Sequence, residues 1–124
     1  MDKRPAQCMI EVMATRHVIW DWNGTLLDDA WLCVEILNGM LRRRGLPEVD
    51  ETSYRDCFGF PVENVYRAMG FDMSEGSFEK MSVEYISEYQ ARRDECRLHE
   101  GARGILGALK AAGIGQSILS AYRQ

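Results

Sequence analysis

The chain lacks any apolar run approaching the roughly 20 residues that a membrane helix needs, so no spanning segment is expected in its 124 residues. It also lacks the cysteine pattern of a metal centre or a disulfide framework. Cys8, Cys33, Cys57 and Cys96 are scattered without a C-x-x-C pair, and only His17 and His99 accompany them, so four free thiols in a reducing compartment are expected. A surplus of positive charge is missing too. Fifteen Lys and Arg against nineteen Asp and Glu give a net charge of −4, which supplies no general field for nucleic acid or an anionic membrane. There are no internal repeats, and 46% hydrophobic with 27% charged residues match ordinary globular usage. The length fits one compact unit or a piece of something larger.

What is present begins after a weakly apolar leader. Met1 to Arg16 carries Lys3 and Arg4, but Glu11 interrupts it, so it reads as an extension without a fold role rather than a secretory signal, and the cytoplasm is the expected location. His17 to Trp22 reads HVIWDW, a continuous apolar run of the kind a strand buried on both faces of a parallel sheet shows. Asn23-Gly24 would also suit a hairpin; the helical pattern that follows favours strand, loop, helix. That helix starts near Asp28 or Asp29, either of which can cap it, and carries Cys33, Ile36, Leu37, Met40 and Leu41 at helical spacing. Arg42 to Arg44, Gly45 and Pro47 end it, the arginines offsetting the helix dipole.

Asp50 to Phe58 predicts a short helix, and Pro61 stands at the first position of a third, with Val62, Val65, Tyr66 and Met69 as its stripe. A turn from Ser74 to Ser77 leads to a fourth helix whose Phe78, Met81, Tyr85, Ile86 and Tyr89 read as core. These helices would form a small bundle. Leu98 to Gly101 reads as a loop, Ala102, Ile105, Leu106 and Leu109 as a helix ending at Gly113, and Ile114 to Ser120 as a second strand, with Gln116 to Leu119 pairing in parallel with Val18 to Trp22.

Chemistry concentrates in Asp21-Trp22-Asn23-Gly24-Thr25-Leu26-Leu27-Asp28, a carboxylate at the C-terminal end of a strand followed by a tight loop. Ligands of open α/β sheets bind outside the carboxyl ends of strands. Loop amides around Gly24 and the Thr25 hydroxyl can hold phosphate oxygens, and a carboxylate beside them can attack phosphorus or bind Mg²⁺. The plainer reading is that Asp21 caps a turn.

These residues resemble the first motif of the haloacid dehalogenase superfamily, Asp-x-Asp-Gly-Thr-Leu, matched by Asp21 to Leu26 except at Asn23. The likeness, to the phosphoglycolate-phosphatase-like branch with a helical cap, runs on through Gly59-Phe60-Pro61 and His99-Glu100-Gly101 to a second motif at Ser120. It implies an α/β fold, an incomplete Rossmann-like parallel sheet from residues 17–27 and 97–124 after an extension over 1–16, with an α-helical bundle cap inserted over 28–96.

By resemblance Asp21 would be the nucleophile of an aspartyl-phosphate and a Mg²⁺ ligand. Asn23 would give its carbonyl to the metal, and Gly24, Thr25 and Ser120 would hold the phosphoryl group. Hinges are expected near Leu27 to Asp28 and Arg97 to His99, letting the cap close over a small phosphorylated substrate. In the family the second Asp of the first motif is the general acid and base, so Asn23 in its place is expected to slow alkyl-ester hydrolysis by roughly 10²–10⁴-fold, unless Asp28 or Asp29 substitutes. The family's later lysine and acidic residues have no counterpart, so the chain is read as the first half of a Mg²⁺-dependent phosphatase, inactive alone and self-associating over its open sheet. The alternative is a non-catalytic, partner-binding or dimerising helical module. A phosphoryl transferase to an acceptor other than water would also fit Asn23.

Overall fold

The computed structural model describes residues 14–59 and 61–121. They form two compact units, one built from the chain up to Leu26 and from Leu98 onward, the other from Leu27–Arg97. The chain leaves the first unit and returns to it through β2 (Leu27–Asp28) and β3 (Arg97–Leu98), which pair as a two-residue ribbon. Most of the extension expected over residues 1–16 lies outside the described residues, as do Cys8 and Phe60; Cys33, Cys57 and Cys96 are free thiols.

In the first unit β1 (His17–Trp20) and β4 (Gly115–Ile118) are parallel neighbours, in register from His17 opposite Gly115 to Trp20 opposite Ile118. Helix α5 (Ala102–Ala111) links β3 to β4. The parallel α/β pairing is the expected one. The first strand is shorter than expected, ending at Trp20, where the Leu119 amide still donates to the Trp20 carbonyl at 2.8 Å before the chain turns toward Gly24. Gly115 is required by its register: a methyl group there would meet His17 Nδ1 at 2.6 Å.

Burial on both faces is not what the described residues show. Alternation in a strand puts Val18, Trp20, Gln116 and Ile118 on one face and Ile19, Ser117 and Leu119 on the other. On the first face Gln116 bridges, accepting from Trp20 Nε1 at 2.9 Å and donating to the Leu106 carbonyl of α5 at 3.0 Å. On the second, Ile19 is 66% and Leu119 71% exposed. Continuous apolarity reports two faces suited to burial, and this chain's own α5 approaches one of them.

The second unit is helical. Along α1 (Ala30–Arg43) Leu32, Cys33, Ile36, Leu37, Met40 and Leu41 are buried at intervals of three and four. Asn38, within α1, pins the following loop by exchanging two hydrogen bonds with the backbone of Val49, at 2.7 and 2.8 Å. Helix α2 (Glu51–Cys57) forms within the expected span and is capped by Asp50, whose carboxylate accepts from Ser53 N. Pro61 stands one position earlier than expected, as the N-cap of α3 (Val62–Ala68) in extended conformation.

One expectation for α1 is corrected and another extended. Asp29 is its N-cap residue but makes no capping bond; its carboxylate is buried and accepts the Tyr89 hydroxyl of α4 (Ser77–Arg92) at 2.6 Å. Asp28 belongs to β2. The arginines at the other end do more than offset a dipole. Arg43 reaches Glu84 and Glu88, and Arg44 reaches Glu84 while lying over the Phe71 ring, so α1 and α4 are clamped together. Of the α4 stripe, Met81 and Tyr89 are buried, whereas Ile86 is 43% exposed.

Candidate functional site

Asp21 follows β1 directly, at the carboxyl end of the sheet, where the chain must turn because Gly24 adopts φ +75°. A positive φ suits glycine alone at no steric cost. The turn is closed by the Thr25 and Leu26 amides, both donating to the Trp22 carbonyl at 3.1 Å. The Asp21 carboxylate, exposed to solvent, is held at both oxygens. The Trp22 amide donates to Oδ1 at 2.8 Å and the Thr25 hydroxyl to Oδ2 at 3.2 Å. A carboxylate fixed by two donors on its own loop is aimed rather than free to rotate, which a nucleophile or metal ligand needs.

Ser120 arrives from the end of β4, two residues beyond Ile118, and its hydroxyl donates to Asn23 Oδ1 at 3.1 Å. The parallel register delivers this meeting: residues 97 positions apart lie at the same end of adjacent strands. Asp21, Asn23, Gly24, Thr25 and Ser120 thus gather around one loop. Asn23 is only partly exposed, and its side-chain amide neither gains nor loses a proton in the useful range.

His99 was not among the expected site residues. Its backbone amide donates to the Leu26 carbonyl at 2.8 Å and its Nε2 lies 3.2 Å from the Gly24 carbonyl. A carbonyl can only accept, so Nε2 carries the proton in this contact. His99 holds the far side of the loop. Its surroundings in the sequence read as a loop and hinge, and no local pattern marks a contact across 75 positions.

Mg²⁺ takes oxygen donors, typically one or two carboxylates together with substrate phosphate and waters. The loop offers donors of the right kind, the Asp21 carboxylate and backbone carbonyls, though no group of three or more His, Cys, Asp or Glu side chains gathers among the described residues. Among those residues, too, no helix is long and apolar enough to cross a membrane.

Residues 18–124 match the family model for haloacid dehalogenase-like hydrolases. The chain is 35% identical over 88 residues to the N-acetylmuramic acid 6-phosphate phosphatase of Pseudomonas putida, covering 70% of this chain and 38% of that protein. To the enzyme of the same name from Pseudomonas aeruginosa it is 32% identical over 107 residues, covering 82% and 46%. It therefore spans less than half the length of these curated relatives. Among solved structures, Protein Tyrosine Kinase A of Mycobacterium tuberculosis is similar with a TM-score of 0.67 and 30% identity, over 85% of this chain and 48% of that one. A predicted phosphoglycolate phosphatase from Haemophilus somnus shares the fold at 18% identity and a TM-score of 0.67, over 86% and 51%.

Proposed function

The chain belongs to the haloacid dehalogenase-like hydrolase family, and from that premise we propose that it carries the nucleophile loop of a Mg²⁺-dependent phosphatase acting on a small phosphorylated sugar. The observation that carries this reading is the Asp21 carboxylate, fixed by the Trp22 amide and the Thr25 hydroxyl at the carboxyl end of β1, with Ser120 joined to Asn23 beside it. The substrate class follows the two curated relatives, which are N-acetylmuramic acid 6-phosphate phosphatases.

In this reading an Asp21 oxygen attacks phosphorus, the bond to the leaving oxygen breaks, and the phosphoryl group rests on Asp21 as an acyl phosphate. Water then attacks phosphorus and frees the carboxylate. The Ser120 hydroxyl and the loop at Gly24 and Thr25 hold phosphoryl oxygens, and the β2 and β3 connections serve as hinges. Mg²⁺, held by Asp21 and the Asn23 backbone carbonyl, would offset phosphoryl charge. His99 is a positioning residue, keeping the Gly24 carbonyl in place. The bundle over 28–96 acts as the cap, and the compartment is the cytoplasm.

Asn23 supplies no proton to a departing alkoxide. Leaving groups that depart without one, acyl and activated aryl phosphates, are therefore the better substrates. Asn23 and the likeness to a protein named as a tyrosine kinase favour a second reading, transfer of the phosphoryl group to an acceptor other than water. The reading also includes self-association over the bare sheet face that exposes Ile19 and Leu119.

The test incubates the chain, together with a polypeptide that supplies the family's second half, with acetyl phosphate and Mg²⁺, maps phosphoryl adducts by mass spectrometry, and measures phosphate release from acetyl phosphate and N-acetylmuramic acid 6-phosphate. An adduct on Asp21, lost in Asp21→Asn, is expected. Asn23→Asp is expected to raise the sugar-phosphate rate selectively, by about 10²–10⁴-fold. Adduct without phosphate release, discharged only when an acceptor alcohol is added, would select the transferase. No adduct and no Asp21-dependent release would overturn both readings in favour of a non-catalytic helical module.

A further inference from the structure

The helical unit holds a cavity that the phosphoryl chemistry does not use. It has a volume of about 280 Å³ and lies among α1, α2, α3 and α4. Five of its lining residues are aromatic, Tyr54, Phe58, Tyr66, Phe78 and Tyr85, and none carries a charge. Tyr66 meets Phe78 edge to face at 5.8 Å between ring centres, leaving ring faces and edges as walls. The mouth is apolar as well: Phe58 is 50% and Ile86 43% exposed. Large apolar side chains left in water around a concavity mark a place where something docks.

Size and polarity narrow the occupant. An apolar cavity of about 150 Å³ accepts benzene, so this one has room for two fused rings. Aromatic walls favour a flat ring by offset or edge-to-face packing. A phosphorylated substrate is excluded, since a charge would be taken out of water with no partner in the lining. The hydroxyl-bearing residues of the lining are Tyr54, Tyr66, Ser82 and Tyr85. A hydroxyl oxygen can accept a hydrogen bond, so an occupant that carries an N–H or O–H donor finds a partner in this lining.

We propose that this cavity is a binding site for a neutral, flat aromatic molecule of one or two rings that bears an N–H or O–H donor. The site is separate from the nucleophile loop and does not rest on the phosphatase reading. Indole is the probe. Calorimetry and saturation-transfer NMR on the full chain should show saturable binding of indole, weakened about tenfold or more for indole-2-carboxylate. Ser82→Phe, at a half-buried lining position of α4, should abolish binding while circular dichroism stays unchanged. Tyr85→Phe should weaken indole but leave toluene unaffected. Equal binding of the carboxylate, or unchanged binding in a folded Ser82→Phe, overturns the proposal. So does failure of indole to bind while sedimentation shows a dimer that Ile86→Asp dissociates, which would make a second copy the occupant.

Discussion

The two units differ in what they bury. Among the described residues, twelve of the fourteen buried hydrophobic ones fall within Leu27–Arg97, and Leu32, Ile36, Met40 and Leu41 are sealed almost completely; those of the first unit are Leu26 and Ala102. Large apolar residues stay in water in both units, at Ile19, Ile105, Ile118 and Leu119 in the first and at Phe58, Val83 and Ile86 in the second. Burial of one such side chain is worth about 1.5–3 kcal/mol. The helical unit thus carries most of the hydrophobic stabilisation, while the nucleophile loop is organised chiefly by hydrogen bonds. Elements that bind ligands and move are drawn from the less stable end of a structure, and the placement of Asp21 agrees with that rule.

The comparison is broken most directly in the helical core. Met40 is fully buried, and Met40→Ala removes its contacts and leaves a cavity, a change that costs about 2–5 kcal/mol in tightly packed cores. Urea unfolding should show the loss as a lower midpoint. A shift no larger than that of a strand substitution would mean that the helical unit is loosely packed and the contrast false.

Next in size is the buried pair across α1 and α4. Tyr89→Phe deletes the hydroxyl that donates to Asp29 at 2.6 Å and weakens the solvation of a carboxylate that is only 2% exposed. The expected loss is roughly 1–3 kcal/mol, read from the same urea curves. An unchanged midpoint would show that other contacts of Asp29 suffice.

How much of this was legible in the sequence depends on range. Period and stop signals give the helices of the second unit to within a few residues, because Leu32, Ile36 and Met40 repeat locally and Gly45 ends the pattern visibly. The loop from Asp21 to Leu26 is legible because its residues form one contiguous motif, and parallel pairing places Ser120 beside it. What failed was set by distant partners. Asp29 looks like a cap until Tyr89, sixty positions away, takes its carboxylate. Arg43 and Arg44 look like dipole cations until Glu84 arrives. Two-residue strands such as β2 and β3 leave no periodic signal at all.

A smaller effect tests the clamp at the end of α1. Hydrogen bonds from Arg44, and then Arg43, hold the Glu84 carboxyl below the ordinary glutamate range. A carboxylate with a depressed folded pKa contributes stability above its unfolded value and loses it as pH falls through the folded one. Glu84 is about a quarter exposed, at 27%, so screening limits the contribution to about 0.5–1 kcal/mol. Glu84→Gln should therefore be less stable than the parent at neutral pH and converge with it as the pH falls through the lowered folded value. A gap that persists in acid would assign the effect to packing rather than charge.

The smallest expected effect on stability lies on the bare face of the sheet, and it sharpens the comparison most. Ile19 is 66% exposed and sits opposite Ser117, away from the face that Gln116 ties to α5. Threonine keeps the β-branch that suits a strand, so Ile19→Thr should change the dilute-solution midpoint by no more than about 0.5 kcal/mol. Association is a different matter. If a second copy covers Ile19 and Leu119, binding to the folded form raises apparent stability with concentration, so the parent's midpoint should climb with protein concentration and the variant's should stay nearly flat. Sedimentation velocity over the same range reads the association itself. A loss at low concentration approaching that of Met40→Ala would place Ile19 in the core of the first unit, and the contrast between the two units would fall.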